Sequence, residues 1–302
     1  VEAAVETTFS GTALLFNLPA VGWKAIAADE MFIGYILQIP PLKKQIFKDK
    51  NRLEWFAPWL DHPNHAISKD AYAEFALAPF QEVRDSAHAF SPAEAIDHLR
   101  DLSLQQQRRG FYGMVAGVLA RQSPKESQTA CTNALLREIT EHQSNDFQAG
   151  LDGIMAGLFI ALGEQALPVL ERQGLFENKA SPVDQRHLLQ ALRFCWEYPS
   201  DTIPRTEVIL ITRKLLPVPH LTREVIVDLS RYQDWGFRKQ IVAMWDTRGS
   251  EDSLIRPAIV GYLLACPSEK SASLLAQLRE KNIELFEKAQ QAAAIPFPAA
   301  AP

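Results

Sequence analysis

Three copies of one local pattern constrain this chain more than any other feature. Ser91-Pro92-Ala93-Glu94, Ser123-Pro124-Lys125-Glu126 and Ser181-Pro182-Val183-Asp184 each read Ser, Pro, any residue, acid. A Ser hydroxyl there can accept from the first free N–H groups of a helix. Pro at the first helical position gives up a donor that has no partner anyway. The acid three residues after Ser reaches back to the cap and sits at the positive end of the helix dipole. Each cap is worth about 1 kcal/mol. These boxes predict helix starts and say nothing of catalysis. The balance of 14 Gly against 19 Pro in 302 residues suits helices with sharp ends, not Gly-rich turns or phosphate loops.

The segments behind these starts have apolar residues at helical spacing. Cys131, Leu135, Leu136 and Ile139 recur at three and four; so do Met155, Leu158, Phe159 and Leu162. His187, Leu188, Leu192, Phe194, Cys195 and Trp196 give a wider apolar face. We expect helices over 51–61, 65–79, 82–90, 92–102, 106–121, 124–142, 147–162, 164–173, 182–198, 205–216, 220–232, 235–247, 254–266 and 270–290. Val208-Ile209-Leu210-Ile211 is the weakest of these, since its β-branched run also suits a strand. Taken as antiparallel pairs, the first helices start near 106, 147, 182, 220 and 254. That spacing falls in the range of roughly 34–47 residues seen in helix-pair solenoids.

Residues 1–50 read differently. Thr7 to Phe16 carries β-branched and aromatic residues around Gly11, as one or two strands would. Met31 to Leu37 is mixed, Pro40-Pro41 ends it, and the Lys-rich stretch to Asn51 reads as a linker. Two strands alone do not make a stable sheet, so this segment packs on the body or ends a β domain. The expected division is a β-like segment over 1–50, a helical repeat region over 51–291, and an extended or disordered Ala/Pro-rich tail over 292–302. The first residue is Val1, which reads as a processed, truncated or fragmentary start. No run of about 18 apolar residues is evident, so no transmembrane helix is expected.

Several phrases resemble a known family. Asp70-Ala71-Tyr72-Ala73-Glu74-Phe75-Ala76-Leu77-Ala78-Pro79-Phe80 is similar to the first recognisable helix of bacterial HEAT-like (armadillo-type) repeat proteins. Gly150-Leu151-Asp152-Gly153, Leu192 to Tyr198, Arg231-Tyr232-Gln233-Asp234-Trp235 and Tyr262 to Pro267 resemble that family's later landmarks. The resemblance covers residues 50–290. It implies an all-α fold, a superhelical solenoid of antiparallel helix pairs behind a short β-like segment. It also implies export, to the periplasm for instance, and no enzymatic role, and it supplies no catalytic residues.

The chemistry-bearing groups are sparse. No nucleotide-binding Gly loop occurs. His62 and His65 beside Asp61 lack a third metal ligand, and Asn64 reads better as a helix cap. His88 and His98, with Asp85 and Asp97, carry acid–base groups without a nucleophile; His187 and Cys195 lie two turns apart on one face. Cys131, Cys195 and Cys266 form no C-x-x-C pair and read as small buried hydrophobes. With 31 basic and 36 acidic residues the net charge is −5, which argues against nucleic acid; the basic spots near Arg109 and at Arg213-Lys214 are small. Among the Trp residues, Trp55, Trp59 and Trp235 are the candidate protein-binding positions, with Asp234 expected to cap the next helix. The expectation is therefore a non-enzymatic scaffold with another protein as partner, with no cofactor, metal or nucleic acid. Such a scaffold could also be a structural subunit of a larger assembly; the alternatives are an accessory lyase on the same scaffold and, behind it, a HEAT-like DNA-binding protein.

Overall fold

The computed structural model of the protein describes residues 12–19, 21–40, 50–104, 106–141 and 150–293. It is mostly helical, with one two-stranded antiparallel sheet near the N-terminus. Two compact units divide at Ser91 and Pro92, well beyond the change in composition near residue 50.

The first unit opens on β1 (Ala13–Leu18) and β2 (Gly22–Ala27), paired from Ala13↔Ala27 to Leu18↔Gly22. Gly22 has φ +80°, a conformation the turn needs and a side chain resists. Of the Thr7 to Phe16 stretch, where strands were expected, Ala13 to Phe16 falls in β1 and Thr7 to Gly11 lies outside the described residues, as does nearly all of the Lys-rich linker. The mixed 31–37 stretch is helical, as α1 (Glu30–Gln38), because the Asp29 carboxylate accepts from the Phe32 N–H at 2.7 Å. Then come α2 (Lys50–Phe56), a 3-10 turn Ala57–Trp59, α3 (His65–Leu77) and α4 (Phe80–Asp85). Asn64 caps α3 through bonds from the Ala66 and Ile67 N–H groups, as its position in the sequence predicts. Arg52 pairs with Glu74, fastening α2 to α3.

The second unit runs α5 (Pro92–Arg100), α6 (Gln106–Gln122), α7 (Lys125–Thr140), α8 (Leu151–Leu162), α9 (Leu167–Arg172), α10 (Pro182–Glu197), α11 (Arg205–Leu215), α12 (Thr222–Arg231), α13 (Arg238–Ala243), α14 (Arg248–Glu251), α15 (Ile255–Ala265), α16 (Glu269–Lys281) and α17 (Ile283–Ala293). The Val208 to Ile211 run is helical inside α11. Of the three Ser-Pro boxes, α5 and α10 start at their Pro, and Ser181 accepts from the Asp184 N–H at 3.4 Å. At the second box the cap position is Pro124 and no side chain caps the helix, so Ser123 does not do what its box predicts. The single helix expected over 270–290 is broken at Asn282, whose side chain accepts from the Leu285 N–H and starts α17. Ala292 and Ala293, assigned to the tail by composition, close α17; residues 294–302 lie outside the described residues.

The core of this unit is α8, packed by α6, α7 and α10 and buried at nearly every position. Its closest neighbour is α6. Gly110, Gly113 and Gly117 on α6 lie against Gly150, Gly153, Ile154 and Gly157, backbone on backbone. Leu151–Arg172 is, contrary to the expectation from apolar runs, long and apolar enough to cross a membrane. Its acids fall near its ends and at Glu164, which hides the run from a simple count. More than half of its most apolar window is buried inside the protein, the pattern of a core helix.

Candidate functional site

Trp55 and Trp59 stand one helical turn apart and are both half-buried. Their rings lie 5.7 Å apart and each meets Tyr35 of α1, at 5.5 and 5.2 Å. Phe56 and His62 complete the cluster. The Tyr35 hydroxyl donates to Asp70 at 2.9 Å, and burial, then that carboxylate, push its ionisation well above the usual tyrosine range. These two tryptophans therefore spend much of their surface holding α1 to α2, and only the remainder faces solvent.

Trp235 lies in the second unit and is placed differently. Helix α12 ends at Arg231, and the chain turns through Tyr232 and Gln233. The Asp234 N–H donates to Leu229 O at 2.9 Å and the Gln233 N–H to Ser230 O at 3.0 Å, the paired bonds of a Schellman ending. Gln233 is the one described non-Gly residue with positive φ, at 56°. Glycine usually fills this position, and a side chain there costs about 1 kcal/mol. Asp234 does not cap α13, whose cap position is Phe237. Its buried carboxylate instead takes two bonds from Arg213, at 2.5 and 2.7 Å, and one from the Gly236 N–H at 3.2 Å. The pull of the fixed guanidinium outweighs the preference of an Asp before a helix for the cap. The Asp234 carbonyl accepts from the Tyr262 hydroxyl at 2.6 Å, and Trp235 meets the edge of Tyr262 at 5.2 Å.

The result is an open cleft of about 260 Å³ between the end of α12 and the end of α15, lined by Ser230, Arg231, Gln233, Trp235, Ala265 and Pro267. Beside it, Trp196 stacks on Tyr232 at 4.0 Å and carries Arg205 over its ring at 4.8 Å. Beneath, Asp228 is buried and held by Arg193 at 2.8 Å and by Arg231 at 3.4 Å. Burial is the larger influence on Asp228 and raises its pKa, opposed by Arg193. Sequence reasoning found Trp235 but not Gln233 or Pro267 as its neighbours. The signal was present: Arg231-Tyr232-Gln233-Asp234 ends a helix without the Gly or Asn that such an ending favours.

The other candidate histidines fall in different units. His88 pairs with Glu54 at 3.3 Å in the first unit; His98 belongs to the second and stacks on Tyr112 at 4.3 Å. Among the described residues no group of three His, Cys, Asp or Glu side chains is placed to hold a metal. In the basic spot near Arg109, that guanidinium is fully buried against Glu138. His187 meets Asp152 at 3.4 Å through Nδ1, and its buried Nε2 has no partner. Burial pushes the Cys195 thiol up to about 12, and Cys131 is raised by the same cause. Both should stay unmodified by a thiol-specific disulfide reagent at pH 8 in the native protein and react only on denaturation. A fast-reacting Cys195 would sink this reading.

The Asp152–His187 contact also sets a pH dependence. Burial acts to raise the Asp152 pKa, but the hydrogen bond and charge of His187 outweigh it and leave it below the ordinary value. A depressed carboxyl stabilises the fold above its unfolded pKa of about 4 and loses that contribution as pH falls through the folded value. Asp152→Asn should therefore lower denaturant stability above pH 5 and flatten its loss between pH 5 and pH 2, where variant and parent converge. An unchanged acid slope would refute the pairing. Comparison with protein-family models, with curated proteins and with solved structures gives no match, so this cleft rests on its own geometry.

Proposed function

We propose that the protein is a non-enzymatic α-solenoid of HEAT-like helix pairs that recognises another protein. The observation that carries this reading is the Trp235 cleft, an open, mixed surface with a half-buried aromatic and no convergent acid, base and nucleophile. A volume of 260 Å³ is below the roughly 300–1,000 Å³ of small-molecule and cofactor sites. The packing order supports the solenoid part. Helix α6 packs on α8 and α8 on α10, then α12 on α15 and α15 on α17. Arg193 of α10 supplies the missing link, pairing with Glu224 and Asp228 of α12. First helices stacked in sequence order are what helix-pair repeats produce, and such arrays offer extended faces rather than deep pockets. The resemblance to bacterial HEAT-like proteins agrees, and with it come export and a structural place in a larger assembly.

The lyase alternative draws on one arrangement, the buried His187 with its unpartnered Nε2 beside Asp152. It needs a third polar group and a substrate-sized cavity at that place. The test uses the full chain as bait, with cross-links located by mass spectrometry, beside native mass and elemental analysis of the pure protein. The expected result is cross-links to one partner clustered on the α10–α11, α12–α13 and α15–α16 turns. A stoichiometric bound cofactor or metal overturns the reading.

A further inference from the structure

The chemistry of the Trp235 cleft narrows the partner, given the protein-binding reading above. Part of the lining is apolar: Trp235, Ala265 and Pro267. The rest is polar and carries Arg231, whose side chain is 43% exposed, with Ser230 and Gln233. The lining holds a cation and no carboxylate. Asp228 is shared by Arg193 and Arg231, so the exposed Arg231 is only partly balanced, Asp234 is held by Arg213, and the exposed Glu269 beyond Pro267 is followed at once by Lys270. A second cation, Arg238, stands by with its Nη1 4.0 Å from the sulfur of Cys266, next to Pro267. Such a surface favours negative charge in its occupant.

Gln233 adds a second kind of selectivity. It holds a left-handed conformation at a helix ending where Gly would be more stable. Strain of this kind runs from an observed outlier to a role for the side chain. A carboxamide at the cleft rim both donates and accepts, which matches a peptide backbone unit rather than a phosphate. The volume takes about one or two side chains, so the occupant is a short contact within a longer segment.

We infer that the cleft between α12 and α15 binds an acidic peptide segment of the partner. A prolyl or apolar side chain lies against Trp235 and Pro267, a neighbouring carboxylate pairs with Arg231, and the Gln233 carboxamide holds the backbone between them. An anionic lipid or a nucleic acid shares only the charge and is an outcome of the test.

The full chain is applied to immobilised hexapeptides in which Pro or one apolar residue is flanked by Glu, Gln or Lys. Retention is expected with Glu, about ten-fold weaker with Gln and absent with Lys. Gln233→Gly should raise Tm by a few degrees yet bind the best Glu-flanked peptide at least five-fold more weakly, a pairing that a purely structural residue does not give. Arg231→Gln should remove the preference for Glu over Gln flanks. The proposal is overturned if no peptide is retained, if Lys flanks bind equally, if Gln233→Gly binds like the parent, or if heparin or anionic vesicles compete better than the peptides. A partner found by cross-linking that binds Arg231→Gln unchanged sinks this cleft and leaves the scaffold reading standing; a bound cofactor sinks both.

Discussion

Gly153→Ala is expected to lower the Tm of the protein by about 6–12 °C. A Cβ at this position would lie 2.5 Å from the Cα of Gly110 and closer still to its carbonyl oxygen. The obstacle is backbone, so no rotamer change relieves it, and α6 must move away from α8. The same is true of Gly157, whose Cβ would meet the Gly113 carbonyl carbon at 2.7 Å, and of Gly117, 2.7 Å from the Cα of Gly157. Helices meet this closely only through small residues three and four apart, the spacing seen in Gly110, Gly113 and Gly117 and in Gly153 and Gly157. Separating them opens the contact at the centre of the unit, where α8 is buried on every side. Overpacking of this kind costs about 3 kcal/mol, and each kcal/mol is worth about 2–4 °C for a unit of this size. Gly261→Ala is the internal control. Its Cβ would meet only the Ala293 Cβ at 3.9 Å, an ordinary contact, and Ala is the better helix former by about 1 kcal/mol. That variant should melt at or above the parent temperature. Thermal unfolding followed by circular dichroism separates the two. Equal effects would mean that the close approach of α6 and α8 is not what holds them.

The two glycine rows show where reading a sequence stops. Their spacing is visible in Gly110 to Gly117 and Gly153 to Gly157, but spacing alone does not say which helix they face. What was legible was local. Asn64 before a periodic run, Ser181 followed by Pro182 and Asp184, and apolar residues at three and four each specify a helix or its start without help from distant residues. The helices themselves were legible for that reason, even across the β-branched Val208 to Ile211. What was not legible depended on partners far along the chain. Asp234 looks like a cap until Arg213 claims it. Ser123 looks like a cap until the helix begins after Pro124. Trp55 and Trp59 look like a free aromatic face until Tyr35 takes part of it. Gln233 could be read only as an absence of Gly at a helix ending, and its neighbours Ala265 and Pro267 come from the end of α15, far along the chain. The candidate site was thus found by one residue, Trp235, and its chemistry came from the fold.

Glu138→Ala is expected to cost about 3–5 kcal/mol, although it removes a side chain at the edge of the core. The cause is Arg109, fully buried near the start of α6. Its Nε donates to the carbonyl of Leu99 at 2.8 Å, in the last turn of α5, where a helix leaves carbonyls without internal partners. Its Nη2 meets Glu138 of α7 at 2.5 Å. One guanidinium therefore ties three helices, and it is tolerable in the core only while its charge is balanced. Truncating Glu138 takes a carboxylate away from a fully buried cation, which costs more than the pair contributes. Arg109→Leu alone strands Glu138 and the Leu99 carbonyl and should cost less, since the carboxylate is partly open to water. The double variant Arg109→Leu with Glu138→Leu removes both charges and fills the space with apolar side chains of similar reach. It should recover most of the loss, with a coupling of about 1–3 kcal/mol between the sites by denaturant unfolding. Simple additivity of the two single changes would show that the pair is not a unit. Recovery would show that α5, α6 and α7 are held in place by packing, and that the buried ion pair fixes their register rather than their stability.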